Sequence, residues 1–544
     1  MSSAELKAEG NALFSAKNFK EASKKYTEAI KASNEAADPK GLAVLYANRA
    51  ACLLSLKRYM DSCDDSKKAT VLDAGYAKAW ARWAAAKHAI GSDSEDLWRR
   101  ALDTLPKSGL SASEETQKVQ YQAGYDAAIA MKERLKNTPT VGEKAIIIQG
   151  QGRMPWDRAA AMMPRLRGDT GQDPSKTFTS SAWVIHAAYE EWMKAIKIMK
   201  SLKMDHATKQ MMGQIGGIVG LSNAVMRDVR VFHINDNDFI SDYNKQIQLE
   251  IGHYRPWVDA GPAVVIREAL ERQRTSGWDS VRGSISLTIR GWIMRGFMDA
   301  NFRQRHDISV EFMKRSLEIL RGLREHWLLE PTENRGVVFD KTFMFGIQNM
   351  YLDALMQCCA KEKSPELLEE LFAQCDLLIR EIDAETRARQ AQSGEPVDPG
   401  FVSSFMVYPK ATAYAHKGYY YAQKAQSGGL SVKDKRDFHR KGALEYINAA
   451  DTLPEDDENH PWFLNIALQQ MSPSRSFTLR DTLDVMTRIR VATPKAKAIW
   501  ELSQLSAAGI WGILEKVGKE EDGLRGMLAR GQITLNSVVG NEAA

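Results

Sequence analysis

The chain has 544 residues, 44% of them hydrophobic and 26% charged, with a formal net charge of +5. That balance is ordinary for a globular protein of about three domain-sized units. No apolar run is long enough to span a bilayer, and no Lys/Arg-rich stripe with interleaved aromatics marks a nucleic-acid surface, so neither membrane nor nucleic acid is an expected partner.

The N-terminus, Met1-Ser2-Ser3-Ala4-Glu5, lacks the basic-then-apolar form of a secretory signal. The five cysteines, Cys52, Cys63, Cys358, Cys359 and Cys375, form no Cys-x-x-Cys arrangement. Neither zinc nor a disulfide framework is indicated, and a cytoplasmic location is expected. From the first residues onward, small and aromatic side chains recur at the offsets of the tetratricopeptide pattern, whose period is about 34 residues. Gly10, Ala22, Tyr26 and Ala29 mark one unit, and Ala50, Tyr59 and Ala69 a second. Ala84, Trp98, Ala101 and Pro106 mark a third, with a short turn around Gly91. The small residues let paired helices approach, and Tyr26 and Trp98 fill the space between them. A further helix, roughly 113–136, is predicted to cap the last repeat, since a stacked array needs a polar end.

Five side chains acquire meaning on that scaffold: Lys7, Asn11, Asn48, Lys78 and Arg82. Lys7 and Asn11 are four residues apart, as are Lys78 and Arg82, so each pair shares a helix face. First helices line the concave side of such an array, which places three cations and two amides in one groove. A chain ending in aspartate presents a side-chain and a main-chain carboxylate a few ångströms apart, matching those donors. Charge-assisted hydrogen bonds contribute about 1.5–3 kcal/mol each, which gives a roughly micromolar complex after ordering costs. The segment 1–136 holds 22 Lys and Arg against 18 Asp and Glu, a slight basic excess that suits an acidic peptide.

The segment resembles the carboxylate-clamp tetratricopeptide domains of co-chaperones. Lys7-Ala8-Glu9-Gly10-Asn11, Asn48, and Lys78-Ala79-Trp80-Ala81-Arg82 match that family's signature at every position. The resemblance covers about a quarter of the chain. It implies a three-repeat solenoid with a capping helix that binds the Glu-Glu-Val-Asp tails of heat-shock chaperones. Trp83 departs from the family's smaller or basic residue, which bears on the preference between chaperones.

Residues 137–179 read as a linker, including the triplet Ile146-Ile147-Ile148. Two further helical regions follow, 180–400 and 401–544, making the expected class all-α. Apolar spacing predicts helices over 180–204, 206–228, 261–275, 281–302, 309–328, 342–360 and 365–391. The best strand candidate is Val229–Ile234. Ala415, Gly418 and Tyr421 with Ala443, Ile447 and Ala450 suggest a worn repeat, and a last helix is predicted near 494–517.

Chemistry is sparse. Gly213–Gly220 is glycine-dense without a phosphate-loop ending, which suggests close helix packing. Asp236, Asp238 and Asp242 lack the glycine turn and distal glutamate of a calcium loop and read as a helix start. Asp456-Asp457-Glu458 reads as a solvated acidic turn. No catalytic motif, metal-ligand spacing or cofactor site is visible, so an adaptor and not an enzyme is expected, its remainder holding a second protein. Two alternatives stay open: a repeat scaffold for an unrelated partner, and an all-helical enzyme beyond residue 180.

Overall fold

The computed structural model describes residues 1–137, 152–172, 179–205, 211–234, 236–391 and 398–538. Helix α1 (Ser3–Ser15) opens on a capping box, with Ser2 accepting from the Glu5 amide while the Glu5 carboxylate takes the Ser2 amide. Asn18 caps α2 (Phe19–Lys31), and Asp38 with Pro39 at the first position starts α3 (Pro39–Ser55). Then come α4 (Tyr59–Leu72), α5 (Ala77–Ala89), α6 (Glu95–Asp103) and the long α7 (Ala112–Asn137). Each helix pair turns in the same way. Lys17, Lys57 and Gly91 are left-handed, and the next amide returns to the helix end: Asn18 to Leu13, Arg58 to Leu53, Ser92 to Lys87.

Packing follows the repeat positions. An added Cβ on Gly10 would lie 2.8 Å from Tyr26 Cε1, so only glycine lets that ring close against α1. Ala22, Ala29, Ala50, Ala69, Ala84 and Ala101 are fully buried. Trp98 departs from the expectation that it fills its own repeat. It packs outward on α7, where Gly124 gives it room and Tyr121 stands 6.1 Å away. The capping helix is therefore locked by the last repeat's largest side chain.

Among the described residues the remainder is helical apart from two paired antiparallel strands of two residues each, β1 (Lys203–Met204) with β2 (Met211–Met212), and a single bridge between Thr478 and Val538. Its helices are α8 (Pro155–Gln172), α9 (Ala182–Lys200), α10 (Gly217–Arg227), α11 (Phe239–Tyr254), α12 (Pro262–Arg303) and α13 (His306–His326). After these come α14 (Thr332–Arg335), α15 (Lys341–Glu362), α16 (Pro365–Ala391), α17 (Pro399–Val402), α18 (Tyr408–Ala425) and α19 (Val432–Thr452). The last are α20 (Asn459–Ser474), α21 (Leu479–Trp500), α22 (Gln504–Ala507) and α23 (Ile510–Ala529). Among the described residues no helix is long and apolar enough to cross a membrane.

Several expectations are corrected. The segment read as linker contains α8, whose Trp156 is buried and whose Arg158 donates to the Ala498 carbonyl of α21. The isoleucine triplet lies outside the described residues. The strand candidate is a short 3-10 turn over Val229–Val231. Helices predicted at 261–275 and 281–302 are two arms of α12, bent at Gly277 (φ 76°, ψ −178°). The predicted last helix is split: α21 runs through Pro494, and the chain turns at Gly509 before α23. Gly220 brings α10 onto α9 as expected, its Cβ position 2.9 Å from that of Ala195. In the worn repeat, the Tyr446 ring is seated on the glycine, 2.7 Å from the Cβ position of Gly418.

The acidic turn is the largest reversal. Asp457 and Glu458 are 0% and 1% exposed, and both are paired with Arg230. Asp228 joins them at 2.7 Å, Tyr408 donates to Asp457, and the Trp500 ring covers the guanidinium at 3.6 Å. Three carboxylates around one cation tie helices far apart in sequence.

The repeats are not an independent bead. Met60 and Ile90 belong to the same hydrophobic cluster as the body, which runs continuously to Val517. Arg295 and Arg305 of the body donate to the Ile90 and Ala89 carbonyls, ending α5, and Asp64 accepts from the Gly261 amide at 2.8 Å.

Candidate functional site

Three first helices, α1, α3 and α5, carry the five candidate side chains. Tyr26, seated on Gly10, donates its hydroxyl to Asn11 Oδ1 at 2.8 Å. The same oxygen accepts from Asn48 Nδ2 at 3.4 Å, and Asn48 Oδ1 accepts from Arg82 at 3.3 Å. One hydrogen-bonded string thus crosses all three repeats. With Asn11 Oδ1 occupied, its two amide hydrogens find no acceptor among the described residues.

The electrostatics are asymmetric. Arg82 is part-buried beside Tyr26, Tyr76, Tyr121 and Cys52, and burial lowers its pKa from the ordinary arginine value. Among the described residues it has no carboxylate partner. Arg49, on the neighbouring helix, is the contrast: Asp65 grips it with two bonds of 2.7 Å and Thr27 adds a third at 3.0 Å. Arg49 is held in a structural ion pair, whereas Arg82 is a part-buried cation with no carboxylate beside it among the described residues. Lys7, half-buried, and Lys78, exposed, likewise have no ion-pair or hydrogen-bond partner among the described residues. Burial also pushes the Tyr26 hydroxyl up to about 12 and the Cys52 thiol to about 11, so both remain neutral in the groove.

The structure therefore joins Asn11, Asn48 and Arg82 directly and leaves Lys7 and Lys78 as unpaired cations on the same two helices. The hydroxyl of Tyr26 is the member that sequence reasoning assigned to packing alone. Its signal was present, because a tyrosine instead of phenylalanine opposite Gly10 brings a donor into reach of the next turn. Trp83 is accounted for by its stack on Trp80, with ring centroids 5.8 Å apart and Arg100 over the Trp80 face. Among the described residues no group of three His, Cys, Asp or Glu side chains could hold a metal ion.

Comparison with known proteins agrees with the repeat assignment. The chain is 44% identical over 87 residues to the heat shock protein sti1 homolog of Schizosaccharomyces pombe, 16% of this chain and 14% of that protein. It is 34% identical over 157 residues to the Hsp70-Hsp90 organizing protein of Triticum aestivum, 29% of this chain and 25% of that one. The resemblance to tetratricopeptide-repeat co-chaperones is borne out. The chain spans no more than a quarter of the length of either relative. No family model matches. The crystal structure of yeast Tom70 aligns over 97% of this chain and 98% of its own at 16% identity, but a TM-score of 0.25 carries no argument.

Proposed function

We propose that this protein is a chaperone adaptor whose N-terminal groove binds the free-acid tail of a heat-shock chaperone, ending in Glu-Glu-Val-Asp or a close equivalent. The observation that carries the reading is Arg82, a part-buried guanidinium with no carboxylate partner among the described residues, joined through Asn48 to Asn11. Two carboxylates at a chain end would take the unengaged donors of Asn11 and Arg82 together with Lys7 and Lys78. A single inorganic anion would satisfy only part of that set. The name of the wheat relative, an Hsp70-Hsp90 organizing protein, points to the same class of partner.

The reading is of a cytoplasmic binding protein without a cofactor. Among the most buried carboxylates of the body, Asp457 and Glu458 are engaged by Arg230, Glu521 by Arg490 and Arg525, and Glu250 by the Gly216 and Ile218 amides, and these contacts hold the fold together. The test uses the full chain and a labelled Glu-Glu-Val-Asp-ended peptide in fluorescence anisotropy. The free acid is expected to bind at least tenfold tighter than its C-terminal amide. Equal affinity for the two would remove the clamp.

A further inference from the structure

A second basic groove lies at the other end of the chain, between the first turns of α19 and the last turn of α20. It encloses about 610 Å³ and is lined by Lys435, Arg436 and His439 from α19, Gln469 and Ser472 from α20, and Arg475 at the α20 cap. Arg475 is left-handed (φ 49°), which turns the chain away and keeps the mouth open. His439 Nδ1 and Gln470 Oε1, 2.8 Å apart, close its inner end.

Charge in this stretch is one-sided. Between residues 433 and 441 stand Lys433, Lys435, Arg436, Arg440 and Lys441 against Asp434 and Asp437. Both acids are committed: Asp434 bonds the Ser431 hydroxyl at the start of α19, and Asp437 pairs with Lys441 at 2.7 Å. Among the described residues Lys433, Lys435, Arg436 and Arg440 have no ion-pair partner. A structural helix face laces its charges with i,i+4 partners, as α12 and α16 do; this one leaves four cations without an ion pair, and two of them, Lys435 and Arg436, line the cavity.

We infer that this groove binds an acidic segment of a second protein, one carrying several Asp or Glu side chains and an apolar residue. The apolar requirement comes from the rim, where Val432 is 66% exposed and Pro473 lies opposite it. A cavity of this size takes side chains, and a single exposed valine offers too little apolar area to insert into a bilayer. The neighbouring aromatic, Phe438, is stacked with Tyr421 and covered by Lys441, so it provides no open platform for a nucleic-acid base. An acidic peptide is the ligand that the charge, the volume and the apolar rim fit together. The proposal extends the adaptor reading by giving the chemistry of the second partner, yet it stands on residues unrelated to the clamp.

The test uses the full chain and a fluorescent probe blocked at both termini, acetyl-Glu-Glu-Leu-Glu-Glu-amide, which offers no chain-end carboxylate to the N-terminal groove. The probe is expected to bind, its Gln-for-Glu counterpart at least tenfold more weakly. The double variant Lys435→Glu/Arg436→Glu should lose at least tenfold in affinity while Arg82→Ala stays within twofold. The free-acid chaperone-type peptide, measured on the same double variant, reports whether the protein is folded and whether the clamp reading holds separately. Absence of probe binding to wild type, unchanged binding to the double variant, or equal loss with Arg82→Ala would overturn the proposal. Displacement of the probe by phosphatidylserine vesicles or a single-stranded oligonucleotide more readily than by unlabelled peptide would also overturn it.

Discussion

Replacing Arg82 by alanine separates binding from stability, because binding should fall while stability stays nearly unchanged. In the free protein the guanidinium is part-buried and its one hydrogen bond among the described residues, to Asn48, is 3.3 Å long. Deleting it relieves the cost of holding an unpaired charge out of water and loses some packing, so unfolding stability should stay within about 1 kcal/mol of wild type. A bound tail carboxylate would make one or two charge-assisted bonds to the same group, so the variant should lose about 1.5–3 kcal/mol of binding, roughly 10- to 150-fold in Kd. Arg49→Ala is the control. It strands Asp65, which is 8% exposed, and should cost roughly 3–5 kcal/mol of stability. Anisotropy with the free-acid peptide and urea unfolding of the same preparations read both quantities. An Arg82→Ala protein that keeps wild-type affinity, or unfolds as readily as Arg49→Ala, would refute the reasoning.

Gly10→Ala should destabilise by about 1–3 kcal/mol, since its Cβ would sit 2.8 Å from the Tyr26 ring, and should weaken tail binding by moving the hydroxyl that holds Asn11. Unfolding midpoints and anisotropy together check it, and a loss of stability with unchanged affinity would detach Tyr26 from the groove. Asp64, half-buried where the repeats meet the body, has its carboxyl raised from 3.8 to about 7 by desolvation. The folded protein thus keeps a proton that the unfolded chain releases above about pH 4, so this site's contribution falls as pH rises to about 7 and is flat beyond, by at most roughly 4 kcal/mol. Asp64→Asn should flatten that part of the stability–pH curve, and superimposable wild-type and variant curves between pH 4 and 7 would contradict the assignment. Arg230→Met leaves Asp228, Asp457 and Glu458 without their cation and should cost about 3–5 kcal/mol in urea unfolding. A midpoint equal to wild type would show that the network is dispensable.

The repeats were legible because their determinants are local. A glycine opposite a tyrosine, alanines at fixed offsets and a turn residue able to go left-handed act within one or two helices, whatever the rest of the chain does. The line of Asn11, Asn48 and Arg82 was legible for the same reason, since four-residue spacing and repeat register alone bring the three together. Most body helices were recovered from apolar periodicity; the start of α11 was read at Asp236–Asp242, but its extent was not, because Phe239–Tyr254 alternates polar and apolar residues too evenly.

What periodicity could not reveal were partners distant in sequence. Asp456-Asp457-Glu458 reads the same whether water or Arg230 surrounds it, and the sequence separation of 227 between Arg230 and Asp457 is closed only by packing. The linker reading of 137–179 failed likewise, since α8 takes its partners from α9 and α21. Which charges remain unpaired was also a tertiary decision. Arg49 and Arg82 are indistinguishable as letters, and only the approach of Asp65 to one of them neutralises that one. Sequence alone determined the repeated helical frame and the line of donors across it, because both follow from short-range geometry. The tertiary structure decided which cations are satisfied internally and which remain open to a ligand, because Coulomb interactions and desolvation depend on neighbours that the chain brings together only when folded.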